Sequence, residues 1–353
     1  TLSSSSAASD VYKRQVGNLE NPRGYGRILR EPDGKIVGIR EQKDLEGDQD
    51  RIREVNLGVY SFDASFLRRE IPRLDDGNAQ KEYYLTDLVG AAARAGVKVV
   101  SFPSEDSHEA KGINTLSELA DMEAKMNANN IQRLMDSGVR IIDPDNTWID
   151  DSVTIEPDAV VHPMTFLRGA TRIGSGAIIE PGAVITDSAI GKNAHILPYC
   201  VISGSEVGDG ASIGPFSHMR PGSRIGPSAK IGNFVETKKV TVGEGSKVSH
   251  LTYIGDAEIG EKVNIGAGCV TCNYDGFAKY RTVIQDGVFV GSGTMIVAPV
   301  TLGKGSLVAA GSTITRDVAP DALAVARARQ SEKEGWAARR RENLSGNGKK
   351  DKS

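Results

Sequence analysis

The sequence predicts a parallel β-helix of hexapeptide repeats over its second half and a smaller α/β segment before it. Three observations predict this. From Ile155 to Ile314 an aliphatic residue returns every sixth position, as in Ile155, Val161, Leu167, Ile173, Ile179 and Ile185. Five-residue steps reset the frame at Ile190 and Val207, and only Thr237 and Thr271 break its aliphatic or Met character. No helix has this period and no sandwich does; one short strand plus a turn, three to a triangular coil, has it. Glycine is the second observation, at 40 of 353 residues, because tight corners need positive φ. One coil cannot bury its apolar face alone, so about nine stacked coils must share a core. The third is the alternation of strand and helix patterns upstream, which suggests an α/β layer.

In chain order, residues 1–15 (TLSSSSAASDVYKRQ) are Ser-rich, lack the apolar stretch of a signal peptide and match nothing that follows. They read as a non-native or disordered leader. Residues 27–39 read as a hairpin around Pro32-Asp33-Gly34. Residues 54–62 alternate as a strand, 84–95 form a helix with Thr86 and Asp87 near its start, and 97–102 form a buried strand. Residues 115–134 form a long polar helix, with Thr115 and Glu118 as its capping box. This helix reads as a linker arm. After Ile314 the chain turns at Pro320, becomes charged around Trp336, and ends in a stretch that reads as a disordered tail. The expected division is therefore 1–15 leader, 16–114 partial α/β domain, 115–137 linker helix, 138–319 β-helix, and 320–353 extension and tail.

Composition narrows the function. The net charge of −3 gives no reason to expect binding to nucleic acid or a membrane surface. No apolar run is long enough to span a bilayer. The three cysteines, Cys200, Cys269 and Cys272, are few and odd in number, which fits a reducing cytoplasm. Cys269 and Cys272 form a C-x-x-C, but their flanks are β-helix and no further zinc ligands accompany them, so they read as ordinary thiols.

A regular wall makes long polar residues conspicuous. Four clusters stand out: His218 to Gly222, Asn233 to Lys239, His250 to Asp256, and Cys272 to Gly276, which opens an insertion before Val283. Insertions in such prisms usually form binding loops. Arg220, Lys238 and Lys239 can hold a phosphate, and His250 offers the imidazole that a general base most often uses. Two other readings stand beside this one. Trimeric β-helices can hold zinc through three imidazoles, but the histidines here form no tight ligand set. A purely structural β-helix leaves the polar clusters unexplained.

The segments GNLENPRGYGRI (17–28), EYYLTDLV (82–89), IGPFSHMRPGS (213–223), GNFVETKK (232–239), SHLTYIGDAEIG (249–260), NIGAGCVTCNYDG (264–276) and FVGSGTMIVAPV (289–300) resemble the bacterial bifunctional N-acetylglucosamine-1-phosphate uridyltransferase / glucosamine-1-phosphate acetyltransferase family. The resemblance runs from about Val16 to Trp336. It implies the C-terminal part of a Rossmann-like nucleotidyltransferase domain, a linker helix and a left-handed parallel β-helix. It further implies a cytoplasmic homotrimer that makes UDP-N-acetylglucosamine for peptidoglycan and lipopolysaccharide, with glucosamine-1-phosphate, acetyl-CoA and UTP as substrates. Residue by residue, His250 matches the general base. Arg220, Lys238, Tyr253, Asn264 and Lys279 match acceptor contacts. Ala267, Asn273, Tyr274, Ser292, Ala310 and Arg327 match acetyl-CoA positions. Gly26, Glu41, Asn56 and Asn114 match the N-acetylglucosamine site of the uridyltransferase half, with Asn114 also a Mg²⁺ ligand. That half departs from the family pattern: its opening strand, Gly-rich loop and metal-binding Asp have no counterpart. The expectation is an acetyltransferase without uridyl transfer; the alternative is an inactive β-helix trimer whose N-terminal domain misfolds.

Overall fold

The computed structural model describes residues 11–19, 21–103, 113 and 115–347. It divides into two compact units, Thr1–Ala120 and Asp121–Ser353. No described helix is long and apolar enough to cross a membrane.

Among the described residues, the first unit holds five strands: β1 (Val11–Asn18), β2 (Arg27–Arg30), β3 (Ile36–Arg40), β4 (Glu54–Ser61) and β5 (Lys98–Pro103). Two helices, α1 (Ala64–Glu70) and α2 (Asp87–Arg94), accompany them. The sheet order is β3-β2-β4-β1-β5. β2 and β3 make the expected hairpin, and its turn is closed by Gly34 N–H donating to Glu31 O at 2.9 Å. Only β1 and β5 pair in parallel; β1 and β4 are antiparallel. Val16, Ile28, Ile36 and Ile39 pack with Val89 of α2, while Leu88 and Ala92 pack with Phe66 of α1. The Asp63 carboxylate caps α1 by accepting from Ser65 and Phe66 N–H. The leader reading is corrected in one respect. Residues 11–15 form the first part of β1, between β4 and β5, because backbone pairing on both sides outweighs a polar composition.

α3 (Leu116–Asp136) begins in the last residues of the first unit and continues into the second; its capping box is the expected one: Thr115 N–H donates to Glu118 Oε2 at 3.0 Å and Glu118 N–H to Thr115 Oγ1 at 3.2 Å. α3 is more than a linker. Ile131 and Leu134 join the prism core. Asn127 donates to Thr147 O at 2.7 Å and accepts from Ile149 N–H at 3.0 Å, and Asn130 donates to Ile149 O at 2.7 Å. These amides occupy the open hydrogen-bonding edge of the first coil, as a solenoid cap must.

Above it the chain winds as a left-handed parallel β-helix. Strands recur in three columns, one per wall. The first wall includes Phe166–Arg168, Val184–Thr186, Val201–Ser203 and His218–Met219. The second includes Arg172–Ile173, Ala189–Ile190, Glu206–Val207 and Arg224–Ile225. The third runs through Ile178–Ile179, His195–Ile196, Ser212–Ile213, Lys230–Asn233, Lys247–His250, Asn264–Ile265, Phe289–Val290 and Leu307–Val308. Every residue of the aliphatic frame is buried, including both exceptions. Thr237 Oγ1 donates to Ser223 Oγ at 3.0 Å, and Thr271 Oγ1 donates to Gly255 O at 3.1 Å while accepting from Gly255 N–H at 2.8 Å. A buried threonine thus has a partner and costs little.

Glycine serves two purposes, of which the sequence suggested one. Gly268, Gly293 and Gly311 do take positive φ at a corner. Gly243 does not; a Cβ there would collide with the backbone of Gly260 in the next coil. The prism also extends beyond residue 319: Leu323–Ala324 pairs with Leu307–Val308, and Thr313 N–H donates to Ala326 O at 3.0 Å. The tail reading changes as well, because α4 (Trp336–Asn347) is helical through Ser345-Gly346-Asn347.

Candidate functional site

One corner of the prism changes character along its length. At the turn from the third wall to the first, successive coils present Pro163, Pro181, Pro198, Pro215, then Asn233, His250, Ala267, Ser292 and Ala310. The next position, in the left-handed conformation, is Met164, Gly182, Tyr199, Phe216, Phe234, Leu251, Gly268, Gly293 and Gly311. A ladder of backbone hydrogen bonds fixes this stacking: Leu251 N–H to Asn233 O at 3.1 Å, Gly268 N–H to His250 O at 3.1 Å, Gly293 N–H to Ala267 O and Gly311 N–H to Ser292 O, each at 2.8 Å. Below His250 the corner is a ridge in which Tyr199, Phe216 and Phe234 stack ring on ring at 5.3 Å. Above it the corner is stripped to Gly, Ala and Ser. His250 stands at the step between the two.

The structure therefore brings His250, Ala267, Ser292 and Ala310 into one line. Arg327 reaches the same line, its Nη1 donating to Ala310 O at 2.9 Å. His250 is exposed, and its Nδ1 is hydrogen-bonded to Asn233 Oδ1. Thr252 Oγ1 donates to His250 O at 2.6 Å, which pins the turn.

Arg220, Lys238 and Tyr253 stand on the first wall. Arg220 lies one coil below Lys238, its N–H donating to Thr237 O at 2.8 Å, and Lys238 pairs with Gly255. Arg220 Nη1 meets Glu236 Oε1 at 3.1 Å. Lys279, from the insertion, comes close enough to Lys238 to push its ammonium below the usual lysine range, Arg220 adds to this, and Asp256 opposes it. Three cations close together form a site that an anion would relieve. Lys279 also lines, with Arg224, Lys239, Asp256 and Arg281, a surface groove of 460 Å³.

The insertion is an ordered loop. Tyr280 N–H donates to Asn273 O at 2.9 Å, and Tyr274 and Lys279 form an antiparallel bridge. Asp275 Oδ1 accepts from Phe277 and Ala278 N–H at 2.8 and 2.7 Å, bonds that hold its carboxyl below the usual range. Asn273 is buried and its amide is hydrogen-bonded to Asp256, while Tyr274 and Phe277 are exposed.

Asn264 is placed apart. It lies on the third wall between Lys247 and Phe289, around the corner from Tyr253. Side chains on two walls of a convex prism diverge, so one ligand reaches both only if a second surface closes over the corner. Sequence reasoning missed Gly255: a Cβ there would overlap the Tyr253 hydroxyl and lie 2.9 Å from Asn273 Nδ2. Cys200 and Cys269 are core residues, and burial pushes the Cys200 thiol up to about 11. In the first unit, Asn56 N–H donates to Gly26 O at 2.8 Å and the Glu41 carboxylate lies against Gly26, so these three meet. Asn114 lies outside the described residues.

Comparison with known proteins adds one family, two relatives and one solved structure. The family "Bacterial transferase hexapeptide (six repeats)" matches residues 281–316. "Bifunctional protein GlmU" of Geotalea uraniireducens is 48% identical over 321 residues, 91% of this chain and 70% of that protein. "Bifunctional protein GlmU" of Geobacter metallireducens is 51% identical over 341 residues, 92% of this chain and 72% of that protein. Among solved structures, the Francisella novicida UDP-N-acetylglucosamine acyltransferase is 20% identical with a TM-score of 0.36, covering 53% of this chain and 66% of that one.

Proposed function

This chain belongs to the bifunctional GlmU family, and from that premise we propose how its corner site works in the acetyl-CoA-dependent N-acetylation of glucosamine-1-phosphate, a step towards UDP-N-acetylglucosamine. The observation that carries the reading is the step at His250. A bare Gly/Ala/Ser corner above it leaves room for an extended thioester, and a cationic wall beside it suits a sugar phosphate.

Arg220, Lys238 and Lys279 hold the phosphate of the acceptor, and Tyr253 and Asn264 contact its sugar. Ala267, Ser292 and Ala310 line the path of acetyl-CoA, Arg327 anchors it, and Asn273 and Tyr274 close over it. An aminoglycosyl ammonium is not nucleophilic. His250 takes a proton from it, the freed nitrogen attacks the thioester carbon, and as the C–S bond breaks the nitrogen loses a second proton, so that coenzyme A leaves as the thiol and the amide is neutral. Holding both substrates together removes much of the entropic barrier.

Met164, Tyr199, Phe216, Phe234 and Leu251 form an exposed apolar ridge along the lower corner, each about half exposed or more. Such a ridge suits burial against another copy. Together with the divergence of Asn264 and Tyr253, it supports a homotrimer in which a neighbouring subunit completes the site. In the first unit, Gly26, Glu41 and Asn56 are suited to hold N-acetylglucosamine for the uridyl-transfer half. Asn114, the Mg²⁺ ligand that the resemblance implies, is not among the described residues. The setting proposed is the cytoplasm.

The test is thiol release from acetyl-CoA by the purified chain. Release should depend on glucosamine-1-phosphate and disappear in His250→Ala, with the oligomer unchanged by light scattering. Full activity in that variant would remove His250 from its role, and no release by the wild-type chain would sink the reading.

A further inference from the structure

We propose that Asn233 is the positioning residue that sets the tautomer of His250. The inference rests on the reading of His250 as the base and adds what makes it one. Three observations place Asn233 there. It is in register with His250, one coil below. Its side-chain Oδ1 is hydrogen-bonded to His250 Nδ1. Finally, the coils are drawn together at this point: a Cβ on Gly232 would overlap the carbonyl of Ser249, the residue before His250. Ser217 Oγ donates to Gly232 O at 2.6 Å and Leu251 N–H to Asn233 O at 3.1 Å, so the backbone that carries the amide is fixed from both sides.

The chemistry follows from the acceptor. A carboxamide oxygen can only accept, so the imidazole nitrogen facing it must carry the proton. With the proton on Nδ1, the lone pair is on Nε2, which points away from Asn233 and is free to take a proton from the amine. Imidazole left to itself in water favours the opposite tautomer. Asn233 thus converts a mostly misprotonated ring into a base, as the acidic member of a catalytic triad does, but without a charge. Neutrality matters too: a carboxylate in its place would favour the imidazolium and withdraw the base near neutral pH. The titratable groups on the surrounding elements are Lys230, Glu236, Lys238 and Lys239 in the coil below and Lys247, Tyr253, Asp256 and Glu258 in its own coil, and at this corner the coil above presents neutral Asn264 and Ala267. The corner sequence points the same way. The run of prolines, which cannot orient a ring, ends at Asn233, immediately below His250.

The experiment combines nitrogen NMR of ¹⁵N-histidine-labelled full-length chain with kinetics. The chain has five histidines, and His250→Ala identifies the signal. The expected wild-type spectrum shows His250 with its proton on Nδ1, moving to Nε2 in Asn233→Ala. In that variant kcat should fall roughly tenfold or more while both KM values stay within about twofold. Asn233→Asp keeps the acceptor, so it should restore kcat at alkaline pH, with the acidic limb of kcat/KM shifted upward by about one pH unit. The proposal is overturned by a wild-type proton on Nε2, by Asn233→Ala with unchanged kcat, or by Asn233→Asp with an unshifted limb. If His250→Ala is fully active, the reading of the base has failed; the NMR result is scored separately and still decides whether Asn233 sets the tautomer.

Discussion

At the scale of single residues, much of the site is made by what is left out. Gly255 lacks a side chain because the Tyr253 hydroxyl and the Asn273 amide occupy its place. Gly255→Ala must displace one of them, and we expect kcat/KM for glucosamine-1-phosphate to fall roughly tenfold with the fold intact. Steady-state kinetics beside a thermal melt check this. Lys238 gives a proton-linked prediction. Lys279 and Arg220 hold its ammonium below the usual lysine range, and a bound phosphate would raise it again. At a pH between the free and bound values, binding therefore takes up protons. Calorimetry in buffers of different ionisation enthalpy should register that uptake and lose it in Lys238→Ala. Arg220, Lys238 and His250 stand out as candidates in the sequence because each breaks a repetitive wall. Asn233 and Gly255 were not, since their meaning depends on which residue lies one coil away.

Single elements were legible where the signal was local. The hairpin at Asp33-Gly34 and the Thr115/Glu118 capping box depend on residues within a few positions of one another, and both formed as expected. The capping role of α3 was hidden, because Asn127 and Asn130 bond to backbone about twenty residues away. Residues 11–15 misled for a similar reason: pairing with two distant strands decides their structure. Replacing Asn127 and Asn130 together by alanine leaves carbonyls of the first coil without partners. The expected loss is about 1–3 kcal/mol of prism stability, read by urea melts. No change would mean that the apolar contacts of Ile131 and Leu134 alone close the base.

The whole prism depends on close stacking as much as on its aliphatic frame. The period of six announced the frame without any structure, since each position repeats one inward direction. The glycines that allow coils to touch could not be separated by sequence from those that turn corners. Gly243→Ala tests the distinction: with ordinary φ and backbone as the obstacle, it should cost about 1–3 kcal/mol, visible as a lower melting temperature. At the same scale, charging the ridge with Phe216→Glu and Phe234→Glu should convert the proposed trimer to monomer in light scattering.

In the proposed mode of binding, acetyl-CoA runs up the bare corner to end at His250. Ala267→Phe would refill that corner directly above His250 without touching the cationic wall. Calorimetric titration should then show acetyl-CoA affinity reduced about a hundredfold or more, with glucosamine-1-phosphate binding retained. Undiminished acetyl-CoA affinity in a folded Ala267→Phe protein would contradict the account.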